Sequence, residues 1–116
     1  MVVDTAEISL NQVLRALADG TRRDIVRRSL QGEHSVTTLA QRYPMSFAAV
    51  QKHVSILEEA ELVSKRRHGR EQLVRGNVAT VRSAYEQLEQ LEQVWRRRIG
   101  LMDEILTDDL NEGDVT

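Results

Sequence analysis

Apolar residues recur at helical spacing along most of the chain, and the pattern breaks where the residues give a physical reason. Ile8, Leu10, Val13, Leu14 and Leu17 line one side of a first helix over roughly residues 8–18. Asp19 is placed to cap a second helix that runs to about Leu30 and turns Ile25, Val26 and Leu30 inward. Gly32 follows where that helix should stop. A short helical pattern, VTTLAQRY, covers Val36 to Tyr43 and is expected to become helix near Thr37. Pro44 ends it, because proline disfavours helical geometry at Tyr43 and offers no N–H. Ser46 then caps a fourth pattern, SFAAVQKHVSILEEAELV, which reaches Val63.

The stretch SKRRHGREQLVR, Ser64 to Arg75, reads as a two-stranded hairpin. Gly69 sits at its middle, where a positive φ is cheap. A last helix follows, with Asn77 as its cap. Its apolar positions are Val78, Val81, Tyr85, Leu88, Leu91, Trp95, Ile99, Met102 and Leu106, a mean spacing of 3.5 over 28 residues. That period favours a left-handed seam against another helix. At 1.5 Å per residue the stripe is roughly 40 Å long, more than a small domain covers by itself. A second subunit is the simplest cover, through helices one and five. The expected seam holds Leu10, Leu14, Leu88, Leu91, Trp95, Ile99 and Met102. Residues 1–106 then form one domain, and 107–116 an acidic, polar and flexible tail.

A short helix, a tight turn and a second helix with a small, polar outer face make a helix-turn-helix signature. Basic residues at the tip of the following hairpin make it winged. The predicted fold is mainly α: a dimeric winged helix-turn-helix with five helices and a two-stranded β-hairpin wing.

Composition agrees with a helical core. Aromatics are only 3%, so the interior must be built from Leu, Val, Ile and Ala. There is no cysteine, which removes disulfides, thiolate metal sites and cysteine nucleophiles, and is compatible with the cytoplasm. The longest apolar run is Phe47 to Val50, far short of a membrane span or a secretory segment, so a soluble, untargeted chain is expected.

Net charge is −2, but its distribution changes the picture. Residues 20–76 hold eleven Lys and Arg against six Asp and Glu, a surplus of five positive charges. Residues 1–19 and 77–116 are acidic, with surpluses of two and five negative charges. A basic middle between acidic ends suits local binding of DNA.

In the fourth helix Val50, Val54 and Leu57 share the inward face, with Ile56 at its edge. Ser46, Phe47, Ala48, Gln51, Lys52 and Ser55 are left facing outward, with His53 near them. Each type has a use on DNA. Ser46 at the cap can bond phosphate together with helix N–H groups. The Gln51 amide can pair with adenine, and Lys52 can reach guanine or phosphate. Phe47 and Ala48 can touch a thymine methyl, although Phe47 can also fold back into the core. His53 suits a backbone or phosphate bond better than a base. On the wing, Lys65, Arg66, Arg67 and Arg70 suit phosphate or the minor groove. Arg22, Arg23, Arg27 and Arg28 are ambiguous between ion pairs and DNA backbone.

The chain shows no catalytic carboxylate pair, nucleophile motif or glycine-rich phosphate loop, so an enzyme is not expected. A winged helix used only to bind proteins is the competing class. It should show a larger apolar patch on the fourth helix than Ser, Gln, Lys and one Phe provide.

ALADGTRRDIVRRSL, Ala16 to Leu30, followed by VTTLAQRYPMSFAAVQKHVSILEEAELV and HGRE, resembles the ArsR-type winged helix-turn-helix repressors. It is most similar to a metal-independent branch with an LADPTRR-like opening and a tryptophan in the last helix. The resemblance covers about residues 8–106. Gly20 stands where proline is usual, and Glu61 where the exit of the fourth helix normally has glycine. The resemblance implies a homodimeric repressor on an inverted-repeat operator. Metal-sensing members use cysteines in helix three, or carboxylates and histidines in helix five. This chain has no cysteine, and His34, His53 and His68 lie outside helix five, so no metal and no cofactor are expected. An oxygen-rich site using Asp103 and Glu104 would be weak. The effector, if there is one, is not specified by these residues.

Overall fold

The computed structural model describes the backbone from Thr5 to Gly113 and the side chains from Leu10 to Thr107. The chain divides into two compact units, Met1–Ala84 and Tyr85–Thr116. The elements run α1 (Thr5–Ala16), α2 (Gly20–Gln31), β1 (His34–Ser35), α3 (Val36–Ala40), α4 (Phe47–Glu59), β2 (Val63–His68), β3 (Glu71–Gly76) and α5 (Val78–Gly113).

Local capping sets most of these boundaries. The Asp19 carboxylate accepts from the Arg22 N–H at 3.0 Å and opens α2. Ser35 accepts from the Thr38 N–H at 3.0 Å and opens α3. Ser46 accepts from the Ala49 N–H at 3.1 Å and opens α4. Asn77 accepts from the Ala79 N–H at 3.2 Å at the start of α5. Gly32 ends α2 with φ 177, extended backbone rather than the left-handed turn its type suggested.

Helix α4 stops four residues before Val63. Glu61 takes φ 60, the left-handed region, which breaks the helix. The Leu62 N–H bonds the Leu57 carbonyl at 3.0 Å, and the Glu61 N–H bonds that of Glu58 at 2.9 Å. These two bonds are the Schellman pattern, and Leu57 and Leu62 are both fully buried, as its apolar contact requires. The apolar pattern ran past this stop to Val63, and only the resemblance marked Glu61, where glycine is usual, as the helix exit.

The sheet has three strands in the order β1-β3-β2, not two. His34 and Ser35 pair antiparallel with Val74 and Leu73. Two residues are too short for a recognisable alternation. Strands β2 and β3 pair from Val63 with Gly76 to His68 with Glu71. Gly69 and Arg70 form the two-residue loop, and Gly69 takes φ 64 as its place demanded.

The core of the first unit is aliphatic. Val13, Ile25, Leu39, Val50, Val54, Leu57, Leu62 and Val74 are fully buried. Leu30, expected inward, is 42% exposed, and Ser29 is buried in its place. In the second unit α5 continues past the expected boundary at Leu106 to Gly113, while Asp114 to Thr116 lie outside the described residues. Its apolar side chains Leu88, Leu91, Val94, Trp95, Ile99, Leu101, Met102, Ile105 and Leu106 are all exposed. Among the described residues no helix is long and apolar enough to cross a membrane.

Candidate nucleic-acid interface

Helix α4 and the wing enclose a cleft of about 480 Å³. Ala48, Gln51, Lys52 and Ser55 line it from α4, with Lys65 and Gln72 opposite on β2 and β3. A contiguous hollow brings Phe47 and Gln51 together with Thr37, Arg67, Arg70 and Gln72. Strand alternation explains the wing side. Lys65 pairs with Val74 and Arg67 with Gln72, so all four point to one face of the sheet. Val74 on that face is buried in the core. The basic side chains farther along the strands therefore lean over the outer surface of α4.

Most of the expected residues meet here. Phe47 is 47% exposed, so it does not fold into the core. Ser46, Ala48, Gln51 and Lys52 are exposed and Ser55 is half-buried. Lys65 lines the cleft while its ammonium lies 3.5 Å from the Glu58 carboxylate.

Two residues depart from the expected set. Arg66 pairs with Leu73, on the opposite face of the wing from Lys65 and Arg67. Its guanidinium makes a two-pronged bond to Glu33, at 3.0 and 2.8 Å. This fork holds the Glu33 carboxyl below its usual range. His53 is half-buried and turns its Nδ1 to Arg22, 3.3 Å away. Burial of one helix edge and pairing across the chain decided both, and neither is visible in local spacing. Gln72 and Thr37 were missed. The register counted back from Gly69 was the available signal for Gln72, since it pairs it with Arg67.

The α2 arginines are structural. Arg22 donates from Nε to the Ala16 carbonyl at 2.6 Å and from Nη2 to that of Arg15 at 3.2 Å. Arg23 donates to the Leu17 carbonyl at 2.7 Å. Arg22 thus satisfies the Ala16 carbonyl at the end of α1 and shares that of Arg15 with the Ala18 N–H, and Arg23 bonds the first residue after the helix. Arg27 and Arg28 bond Asp24, at 3.0 and 2.8 Å. Tyr43 also donates to Asp24, and the Tyr43 hydroxyl together with Arg28 holds that carboxyl below its ordinary value. This Asp24 knot ties α2 to the turn between α3 and α4.

Of the residues expected at a dimer seam, Leu10 is half-buried against the core of its own unit. Leu14 is exposed, as are Leu88, Leu91, Trp95, Ile99 and Met102 of α5.

No family model matches the chain. A helix-turn-helix type transcriptional regulator of Mycobacterium tuberculosis is 44% identical over 61 residues, 53% of this chain. That match spans only 57% of the mycobacterial protein's length. The transcriptional repressor SdpR of Bacillus subtilis is 32% identical over 60 residues, 52% of this chain and 67% of its own. An ArsR-like transcriptional regulator from Rhodococcus sp. RHA1 superposes with a TM-score of 0.75 at 31% identity, over 85% of this chain and 93% of its own. The solution structure of a homodimeric winged helix-turn-helix DNA-binding domain from Mycobacterium bovis gives 0.59 at 29%, over 79% and 90%. On the identity, coverage and fold shared with these proteins, the chain belongs to the ArsR-type winged helix-turn-helix transcriptional regulators.

Proposed function

We propose that the protein is a homodimeric, sequence-specific DNA-binding repressor that acts on an inverted-repeat operator. One observation carries this reading: the polar face of α4, with Gln51 and Lys52, stands against Arg67, Arg70 and Gln72 of the wing across an open cleft. Helix α4 enters a major groove, where Gln51 reads adenine and Lys52 guanine or phosphate. Phe47 and Ala48 supply apolar contact to thymine methyls. Ser46 presents the helix N-terminus to a phosphate, Ser55 bonds at the other end of the helix, and Arg67 and Arg70 hold the backbone or the narrow groove.

Dimerisation accounts for the apolar α5. Leu88, Leu91, Trp95, Ile99 and Met102 form the seam, with Leu14 of α1 contributing, and the homodimeric M. bovis domain supports the assembly. A two-fold dimer places two α4 helices on half-sites about one helical turn apart. Occlusion of a promoter then gives repression, as the name of the B. subtilis relative suggests. No enzymatic role is proposed, and a soluble, cytoplasmic location fits a regulator of this kind.

Selection of bound fragments from genomic DNA by the full chain tests the proposal, followed by footprinting of the enriched sites. A palindromic site with a footprint on two successive major grooves is expected. Enrichment without a shared motif would leave the winged helix as a protein-binding module. In sedimentation, Trp95→Asp should shift the species from dimer to monomer by putting a charge into the seam. A monomeric wild type would sink the dimer.

A further inference from the structure

The wing has a second hollow on the face turned away from α4. It measures about 630 Å³ and lies between the end of α2, the outer side of β2 and β3, and the first residue of α5. Arg66 and Arg75 reach it from the strands, because their partners Leu73 and Ser64 point to the side opposite Lys65 and Arg67. Glu33 is its single carboxylate, and it is held by the two-pronged bond from Arg66. Among the described residues the Arg75 guanidinium makes no hydrogen bond or ion pair. Leu30 and Val78, 42% and 57% exposed, give the hollow apolar walls. Ser29 also lines it, and its Oγ is buried without a hydrogen-bond partner. The site thus combines two cations, one anion and exposed aliphatic surface.

We propose that this hollow binds a small organic carboxylate with an apolar body, and that binding loosens the wing. The carboxylate meets Arg75, which makes no direct bond and feels Glu33 only through space, and competes with Glu33 for Arg66. The apolar body covers Leu30 and Val78. An amine of the same shape meets two positive charges and is repelled, and a neutral alcohol loses the charge-assisted bond. Arg66 is the clamp between β2 and the link before β1. Release of its bond to Glu33 removes that tie from the strand that carries Lys65 and Arg67 on the other face, while the strand stays paired with β3. The effect on DNA rests on the DNA-binding function proposed above, whereas occupancy of the hollow does not.

The probes are octanoate, octanol and octylammonium, added to the full ¹⁵N-labelled chain at fixed ionic strength and followed by amide shifts. Octanoate should give saturable shifts clustered at Ser29, Gly32, Glu33, Arg75 and Gly76, and octylammonium none there. Arg75→Gln should raise the half-saturation concentration about tenfold, as loss of one charge-assisted bond predicts. Leu30→Ser, at an exposed position, should weaken octanoate as well while the other amide positions stay in place. Shifts that do not saturate, spread along α5, or persist unchanged in Arg75→Gln would overturn the site. With selected DNA, octanoate should weaken binding by the wild type, and Arg75→Gln should need about ten times as much octanoate for the same effect. Unchanged DNA affinity with the hollow filled would overturn the coupling. A chain that fails to bind DNA even without octanoate would refute the repressor reading and leave the carboxylate site standing.

Discussion

The Tyr43 hydroxyl donates a 2.6 Å hydrogen bond to Oδ2 of Asp24, nineteen residues earlier in the chain. It joins the turn of the helix-turn-helix to the middle of α2, where Arg28 bonds the same oxygen at 2.8 Å. Tyr43→Phe should cost about 1 kcal/mol of stability, the usual worth of such a bond, read as a lower urea midpoint with an unchanged slope. The pH dependence follows from both ends of the bond. Asp24 is lowered from 3.8, chiefly by the Tyr43 hydroxyl, so its contribution is present above that value and is lost as pH falls through its lower folded pKa. Tyr43 is pushed up to about 12 by burial and by Asp24, so its contribution is present below 10 and is lost as pH rises through about 12. Melting curves across pH should therefore fall less steeply at both extremes in Tyr43→Phe than in the wild type. Parallel curves would mean that the bond does not persist in solution.

Glu61 and Gly20 stand where the resemblance led to glycine and proline being expected, and the backbone gives both a cost. Glu61 holds φ 60 with an exposed side chain. Glu61→Gly should stabilise by about 1 kcal/mol, because glycine adopts that region without the clash. Gly20 is the first residue of α2, and Asp19 before it has φ −101 and ψ 132, the extended geometry that a following proline prefers. Gly20→Pro should add roughly 0.4–1 kcal/mol by restricting the unfolded chain. Calorimetric midpoints of the two single variants and the double variant decide it. A lower midpoint for Glu61→Gly would contradict the left-handed cap.

Gly76 has a different role: a methyl group there would stand 2.8 Å from Cγ, Cδ2 and the backbone nitrogen of Leu30. Because one of these atoms is backbone, rotation of the leucine cannot relieve the clash. Gly76→Ala should destabilise by about 1–3 kcal/mol, the range for overpacking. Adding Leu30→Ala should recover only part of that loss. Full recovery in the pair would place the whole clash in the side chain.

On the proposed function, Gln51 should read DNA and Arg70 should hold it. Gln51→Ala should cost about 1–3 kcal/mol on the selected site and relax preference at one base position. Arg70→Ala should weaken selected and scrambled DNA alike, and reduce the salt slope by roughly one for each phosphate no longer neutralised. Arg66→Ala should leave the slope close to the wild type, since Arg66 is spent on Glu33. Anisotropy titrations at several salt concentrations distinguish the three. If neither Gln51→Ala nor Arg70→Ala alters binding, α4 and the wing are not the DNA face.

Local chemistry in the sequence determined the helical elements and the wing loop. Asp19, Ser46 and Asn77 cap the helices they were expected to cap, and Gly69 turns the wing, because caps and two-residue loops are decided within a few residues. Apolar spacing likewise placed Val50, Val54 and Leu57 inward on α4 and left Gln51 and Lys52 outside. Only the tertiary structure decided which polar groups were free. Arg22 and Arg66 look alike in a basic stretch, yet one satisfies the end of α1 and the other bonds Glu33 across 33 residues. His53 follows Lys52 on the same helix, yet half-burial turns it to Arg22. The strand β1 escaped because His34 depends on Val74, a partner distant in the chain that no local preference encodes. The stop at Glu61 is local, but glutamate carries no turn signal of its own, so apolar spacing ran past it and only the resemblance marked it.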